Sequence, residues 1–263
     1  MCRHLAYLGP PRPMAALVLD PSHSLLHQSY APQDMRGGGT VNADGFGLGW
    51  YSRGDGVART YRRSCPVWAD PSLESVARDI VSGCFVAAVR NATTGMPVVE
   101  TAAAPFSDNG WLFSHNGFVP GWPDSMVSLA AALPTSDLLS LPARTDSALL
   151  WALVRARLHK GQAPADALVE VVLDVIDVAP AARLNLLLTD GSSIAATTWT
   201  HALWVSDGAD QVIVSSEPLE SHDEAWHEIP DHHLLLARPG AVQIRPIPDS
   251  TDGPRAATTE EAT

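Results

Sequence analysis

Apolar residues along the chain recur in two rhythms. Short runs cut off by Gly, Asp, Asn or Pro read as strands: FGLGWY (46–51) and VARTYR (57–62) flank the turn-like SRGDG and predict a hairpin. CFVAAVRN (84–91), WLFSHNG (111–117, running into a turn), RLNLLLTD (183–190), SIAATTW (193–199), ALWVS (202–206), QVIVSSE (211–217), HLLLA (233–237) and VQIRPI (242–247) follow the same rule. Their close punctuation is that of antiparallel sheets. Helical spacing appears in PSLESVARDIVSG (71–83), which ends in glycine, and in DALVEVVLDVID (166–177). It is clearest in TDSALLWALVRARLHKG (145–161), where Leu149, Ala152, Leu153 and Ala156 share a face between an acidic start and a basic end. Strands, a helical pair and strands again predict an α+β protein, two sheets covered outside by helices. No internal repeat is present. The small polar residues of DSTDGPRAATTEEAT predict a disordered tail over 249–263, leaving 2–248 as a single domain.

Composition narrows the class. Hydrophobic residues make up 46% of 263, enough for a buried core, and the net charge is −12. An acidic chain with no Lys/Arg-rich run is a poor partner for nucleic acid or an anionic membrane. In the N-terminal MCRHLAYLGPPRPMAALVLD the prolines at 10, 11 and 13 break the apolar run, so no signal peptide is expected, and no stretch approaches membrane-spanning length. Three cysteines, Cys2, Cys65 and Cys84, make no disulfide framework. The expectation is a cytoplasmic protein. Cys84 opens an apolar strand and is expected to be buried; Cys65 has no assigned role.

Four places can carry chemistry. Removal of Met1 would give Cys2 a thiol and a free α-amine on one residue, a nucleophile with its own base, since an α-amine of pKa about 7.7–8.0 is partly neutral near pH 7. Arg90, where a strand meets the turn NATTG, is either an edge arginine or a bidentate grip for a carboxylate. Asn116 and Gly117 are either an ordinary Asn-Gly hairpin turn or a pair of donors for an oxyanion. Asp146 is either a helix-start acid or a partner for a substrate ammonium. Together the four match a γ-glutamyl amide, held by its α-carboxylate and α-ammonium with the γ-carbonyl before the thiol.

MCRHLAYLG, NADGFGLGWY (42–51), VRNATTG (89–95), SHNG (114–117), RTDS (144–147) and VSSEPL (214–219), in that order, resemble the class II glutamine amidotransferases among N-terminal-nucleophile hydrolases. The resemblance implies a four-layer αββα sandwich and no metal or organic cofactor. It also implies Cys2 as nucleophile, Arg90 on the α-carboxylate, Asn116 and Gly117 as oxyanion hole, and Asp146 on the α-amine. MCRHLAYLG, QSYAP (28–32) and NADGFGLGWY look most like the branch acting in ergothioneine biosynthesis, which implies a small-molecule γ-glutamyl substrate and glutamate release. After the sandwich only a short tail remains, with no room for a synthase domain. A glutaminase feeding ammonia to a separate partner, a hydrolase of glutathione-type peptides and a non-catalytic γ-glutamyl sensor are the alternatives; the protein partner is unknown. The implied leaving group carries a trimethylammonium, which aromatic faces attract. Trp50, Tyr51, Trp68, Trp111 and Trp122 are candidates for its pocket or ordinary packing residues. The run SHDEAWHEI (221–229) gathers His222, Asp223, Glu224, His227 and Glu228 without the spacing of a metal site, and reads as a solvated acidic loop.

Overall fold

The strand at the centre of the protein is one its prolines disguise. The computed structural model describes residues 2–36, 39, 41–52, 56–220 and 225–248; the stretch expected to be a disordered tail, 249–263, lies outside them. One antiparallel sheet has seven strands in the order β11 (Trp226–Glu228), β9 (Trp204–Asp207), β10 (Val212–Ser215), β1 (Arg3–Pro13), β4 (Val81–Val89), β2 (Phe46–Tyr51) and β3 (Ala58–Arg63). The other has six, in the order β13 (Ala241–Pro246), β12 (His233–Arg238), β8 (Ile194–Thr198), β7 (Arg183–Thr189), β6 (Trp111–Phe118) and β5 (Phe106–Asp108). β1 thus has a neighbour on each side. Its ladder with β10 ends at Leu8↔Val212, and its ladder with β4 shifts register between Leu8 and Arg12. Pro10 and Pro11 fall in that irregularity, where a missing N–H costs no ladder bond.

The pleat sorts β1 into two cores. Leu5 and Tyr7 face outward, with Phe46 and Phe85, onto a layer formed by α1 (Ala15–Val18), α2 (Leu25–Gln28) and α3 (Leu73–Asp79). Ala6 and Leu8 face inward, with Val86, Leu112, Leu187 and Leu235, between the sheets. The outer face of the second sheet carries Phe113 and Leu186 against α6 (Asp146–His159) and α7 (Pro164–Val178). Two short helices, α4 (Val127–Ala131) and α5 (Thr135–Leu139), pack on α6. The result is helices, sheet, sheet, helices: the αββα sandwich. Among the described residues no helix is long and apolar enough to cross a membrane.

Three local expectations change. The helix expected over 71–83 stops at Asp79, and Val81 to Gly83 enter β4. Gly83 is therefore no helix cap: a Cβ there would lie 2.9 Å from the Gly9 carbonyl oxygen, where β1 bulges against it. α6 is not one-faced, because every residue from Ala148 to Val154 is buried between the sheet and the flanking helices. Asn116 and Gly117 form no hairpin turn, since β6 continues through both and pairs them with Asn185 and Leu184 of β7.

Just past β10, Glu217 is 2% exposed and ties the head of β1 to the loop after α2. Its carboxylate pairs with Arg3, accepts from the His23 ring, and takes the backbone N–H of Gln33 and Asp34 at 2.9 Å each. Burial alone would raise its pKa, but the bonds from His23, Arg3 and the two amides hold it below the usual carboxylate value. Its stabilising effect is therefore full above the unfolded value of about 4.3 and is lost as pH falls through the folded one. Truncation would strand a buried guanidinium. Glu217→Ala should destabilise the fold by about 3–5 kcal/mol, seen as a lower urea midpoint at unchanged m value.

Candidate active site

Alternation along three strands aims the chemistry at one end of the space between the sheets. On β1, His4 and Ala6 point inward, and Cys2, one residue ahead of the strand, continues that series. On β4, Cys84 and Val86 point inward, and Arg90, one residue past its end, lies beside Cys2 because Arg3 pairs with Val89. On β6, Leu112, Ser114 and Asn116 point inward while Phe113 and His115 point to α6. Cys2, Arg90, His115 and Ser147 line a common cavity of about 20 Å³, floored by Ala102, Ala104 and Phe106. That is room for about one water.

The Cys2 Sγ lies 3.9 Å from the Asn91 carbonyl oxygen and is partly exposed. Cys84 contrasts with it: burial pushes its thiol up to about 12, and its Sγ rests 3.5 Å from Thr189 Oγ1. A thiol so protonated is no nucleophile at neutral pH. Cys65 is free and partly buried against the outer core. Arg90 is buried, and one guanidinium nitrogen donates 2.9 Å to the Pro97 carbonyl, which steadies the group while leaving other donors for a ligand.

Asn116 is 2% exposed and reaches Ser216 Oγ at 3.5 Å; that hydroxyl also accepts from the His4 N–H at 3.0 Å. Asn116, β1 and the segment after β10 are thereby stitched together. Gly117 is required by close approach: a Cβ would sit 1.8 Å from the Arg183 carbonyl oxygen and 2.6 Å from the His115 ring. Thr145 caps α6 by accepting from the Ala148 N–H at 3.2 Å. Asp146 opens that helix, where the dipole favours a carboxylate, and its oxygens accept from the N–H groups of Val119 at 2.9 Å and Ser147 at 2.7 Å.

The motif reading passed over His115 and Ser147, although SHNG and RTDS contain them. His115 Nε2 lies 2.9 Å from the Arg183 carbonyl, which can only accept, so that nitrogen carries the proton of the neutral ring. Nδ1 is then an acceptor, and Ser147 donates to it at 2.9 Å. Ser147 lines the cavity, and its Oγ also lies 3.4 Å from Asp146 Oδ1.

A larger groove of about 780 Å³ flanks this cavity, lined by 93–97, 118–123 and 142–144 among others. Of the aromatic candidates, Trp122 lines it. The other four do not. Trp50 packs against the outer core of the seven-stranded sheet and Trp111 against that of the second sheet. Trp68 is exposed and meets Tyr30 edge-on, with ring centroids 5.8 Å apart. Tyr51 is buried, its hydroxyl donating to the carbonyls of Gly110 and Thr189. In the acidic run after β10, 221–224 lie outside the described residues, and Glu228 on β11 is half-exposed and pairs with Arg36.

An αββα sandwich with a cysteine leading its central strand into the space between the sheets is the architecture of an N-terminal-nucleophile hydrolase. The family model described as glutamine amidotransferases class-II matches residues 17–206. The chain belongs to that family. The gamma-glutamyl-hercynylcysteine sulfoxide hydrolase of Mycolicibacterium smegmatis is 43% identical over 247 residues, covering 94% of this chain and 100% of that protein. The protein of the same name from Mycobacterium tuberculosis is 39% identical, covering 97% and 100%. Among solved structures, a glutamine aminotransferase class-II domain protein from Silicibacter pomeroyi superposes with TM-score 0.68 at 22% identity, covering 94% of this chain and 100% of that one. The glutamine phosphoribosylpyrophosphate amidotransferase of B. subtilis gives 0.64 at 13% identity, over 94% of this chain and 49% of that one.

The site rests on buried neutral histidines. Burial, reinforced by the nearby Arg3 charge, lowers His4 to about 3. Burial does the same to His201, again to about 3, with Arg183, His115 and Arg3 adding to it, and burial lowers His115 although Asp146 pulls the other way. Unfolded histidine titrates near 6.5, so from there down toward 3 the unfolded chain binds more protons and stability is lost as pH falls. Among the described residues, neither ring nitrogen of His201 has a hydrogen-bond partner. Urea midpoints should therefore fall clearly between pH 7 and pH 5, and His201→Leu should reduce that fall. Equal wild-type midpoints at the two pH values would contradict this account of the rings.

Proposed function

We propose that the chain is an amide hydrolase that releases glutamate from γ-glutamyl-hercynylcysteine S-oxide through a glutamyl thioester on Cys2. The observation carrying this reading is that a thiol at the head of the central strand and a buried arginine share one cavity. The leaving group follows the relatives that bear that name and align over their whole length.

With Met1 removed, the Cys2 α-amine takes the thiol proton and the thiolate attacks the γ-carbonyl carbon. Arg90 holds the α-carboxylate. Asp146, with Ser147 Oγ as a second acceptor, holds the α-ammonium. The side-chain amide of Asn116 and the backbone N–H of Gly117 stabilise the oxyanion. The tetrahedral intermediate collapses as the Cys2 ammonium passes its proton to the departing nitrogen, and the C–N bond breaks. Water then gives a proton to the same amine and its oxygen adds to the thioester. The C–S bond breaks, releasing glutamate and regenerating the thiol. Trp122, which lines the groove, is the aromatic assigned to the trimethylammonium of the leaving group. No step calls on a metal or organic cofactor.

Glutamate release by the mature enzyme from γ-glutamyl-hercynylcysteine S-oxide, glutathione and glutamine tests this reading. The expected order puts the first substrate ahead of the others, with Cys2→Ala abolishing turnover while keeping the wild-type unfolding midpoint. Preference for glutamine with release of ammonia, or near-normal turnover by Cys2→Ala, would overturn it.

A further inference from the structure

Arg90 and Asp146 address only the glutamyl half of a substrate, a half that glutamine shares. Whatever selects the other half must sit across the scissile bond, and the groove beside the cavity is the space available there. Arg90 donates to Pro97, Asp146 accepts from Val119, and both Pro97 and Val119 line that groove. Its lining includes Thr93, Thr94, Trp122 and one residue with a formal charge, Arg144.

Arg144 is exposed, and it makes no hydrogen bond or ion pair with any described residue. Neighbouring arginines are engaged: Arg155 pairs with Asp108 and Asp137, Arg157 with Glu170 and Asp174, and Arg183 donates to the Arg36 carbonyl at 3.0 Å. Arg144 also stands two residues before Asp146, within about 7 Å along the backbone, so a ligand held at Asp146 lies within reach of its long side chain. An arginine with its donors uncommitted, at the mouth of an otherwise uncharged groove, is suited to a planar carboxylate.

We infer that Arg144 is a specificity-determining residue that grips a carboxylate on the amine side of the scissile bond, so that the enzyme favours γ-glutamyl conjugates of α-amino acids over simple γ-glutamyl amides. This selectivity rests on the γ-glutamyl hydrolase reading above. In a γ-glutamyl-cysteinyl substrate the carboxylate is attached one carbon from the scissile nitrogen, whereas in glutamine it is absent. Arg144 thus supplies a discrimination that the glutamyl grip cannot, and Trp122 would act farther along the same leaving group.

A matched pair of substrates isolates the effect: an S-alkyl γ-glutamylcysteine and the corresponding S-alkyl γ-glutamylcysteamine, identical but for the carboxylate. The mature wild-type enzyme should prefer the first by about 10- to 100-fold in kcat/KM, the range of one charge-assisted contact. Arg144→Ala should collapse that ratio toward one, chiefly through KM, and Arg144→Lys should restore part of it. A ratio unchanged in Arg144→Ala, or an equal loss on both substrates, would overturn the assignment of Arg144 while leaving the hydrolase reading intact. Cleavage of glutamine alone by the wild type would sink that reading and this selectivity together.

Discussion

Arg3 and Glu217 form an ion pair that is almost wholly removed from water, 2% exposed at each residue. Desolvating two charges costs several kcal/mol per ion, and their attraction offsets this only where further hydrogen bonds complete the geometry. Here they do, through His23 and the amides of Gln33 and Asp34. The pair anchors the outward-facing residue at the head of the central strand. Because the pleat alternates, fixing Arg3 outward also fixes its neighbours Cys2 and His4 toward the opposite sheet. The aim of the Cys2 side chain is thus a consequence of a buried charge on the other side of the strand.

The second sheet completes the site by the same rule. β6 sends Asn116 inward and His115 toward α6, so two adjacent residues serve the space between the sheets and the helix start at Asp146 and Ser147. The neutral tautomer of His115, set by the Arg183 carbonyl, determines which way the Ser147 hydroxyl donates. Ser147 thereby stands at the cavity wall beside Asp146.

Much of this was legible in the sequence, for physical reasons. Strands such as β2, β7 and β12 and the helices α6 and α7 announce themselves by apolar period and turn residues, and they yield the layered class. Cys2, Arg90, Asn116, Gly117 and Asp146 stood out as residue types whose chemistry converges on one ligand. What did not show was placement. β1 was hidden because Pro10, Pro11 and Pro13 are judged locally as breakers, and only the bulge explains how a central strand accommodates them. Four of the five aromatic candidates lie away from the groove for a related reason: composition counts rings, but the pleat and the cores decide which face a cavity. Arg144 could not be distinguished from the other arginines until their partners were known.

The central claim is that Cys2, and neither of the other two cysteines, carries the glutamyl group during turnover. Rapid acid quench of the mature enzyme with a γ-glutamyl substrate, followed by mass spectrometry of its peptides, tests it most directly. The account predicts one added glutamyl group on an N-terminal peptide that begins at Cys2. An adduct on the peptide holding Cys65 or Cys84, or turnover by a chain that still retains Met1, would contradict it.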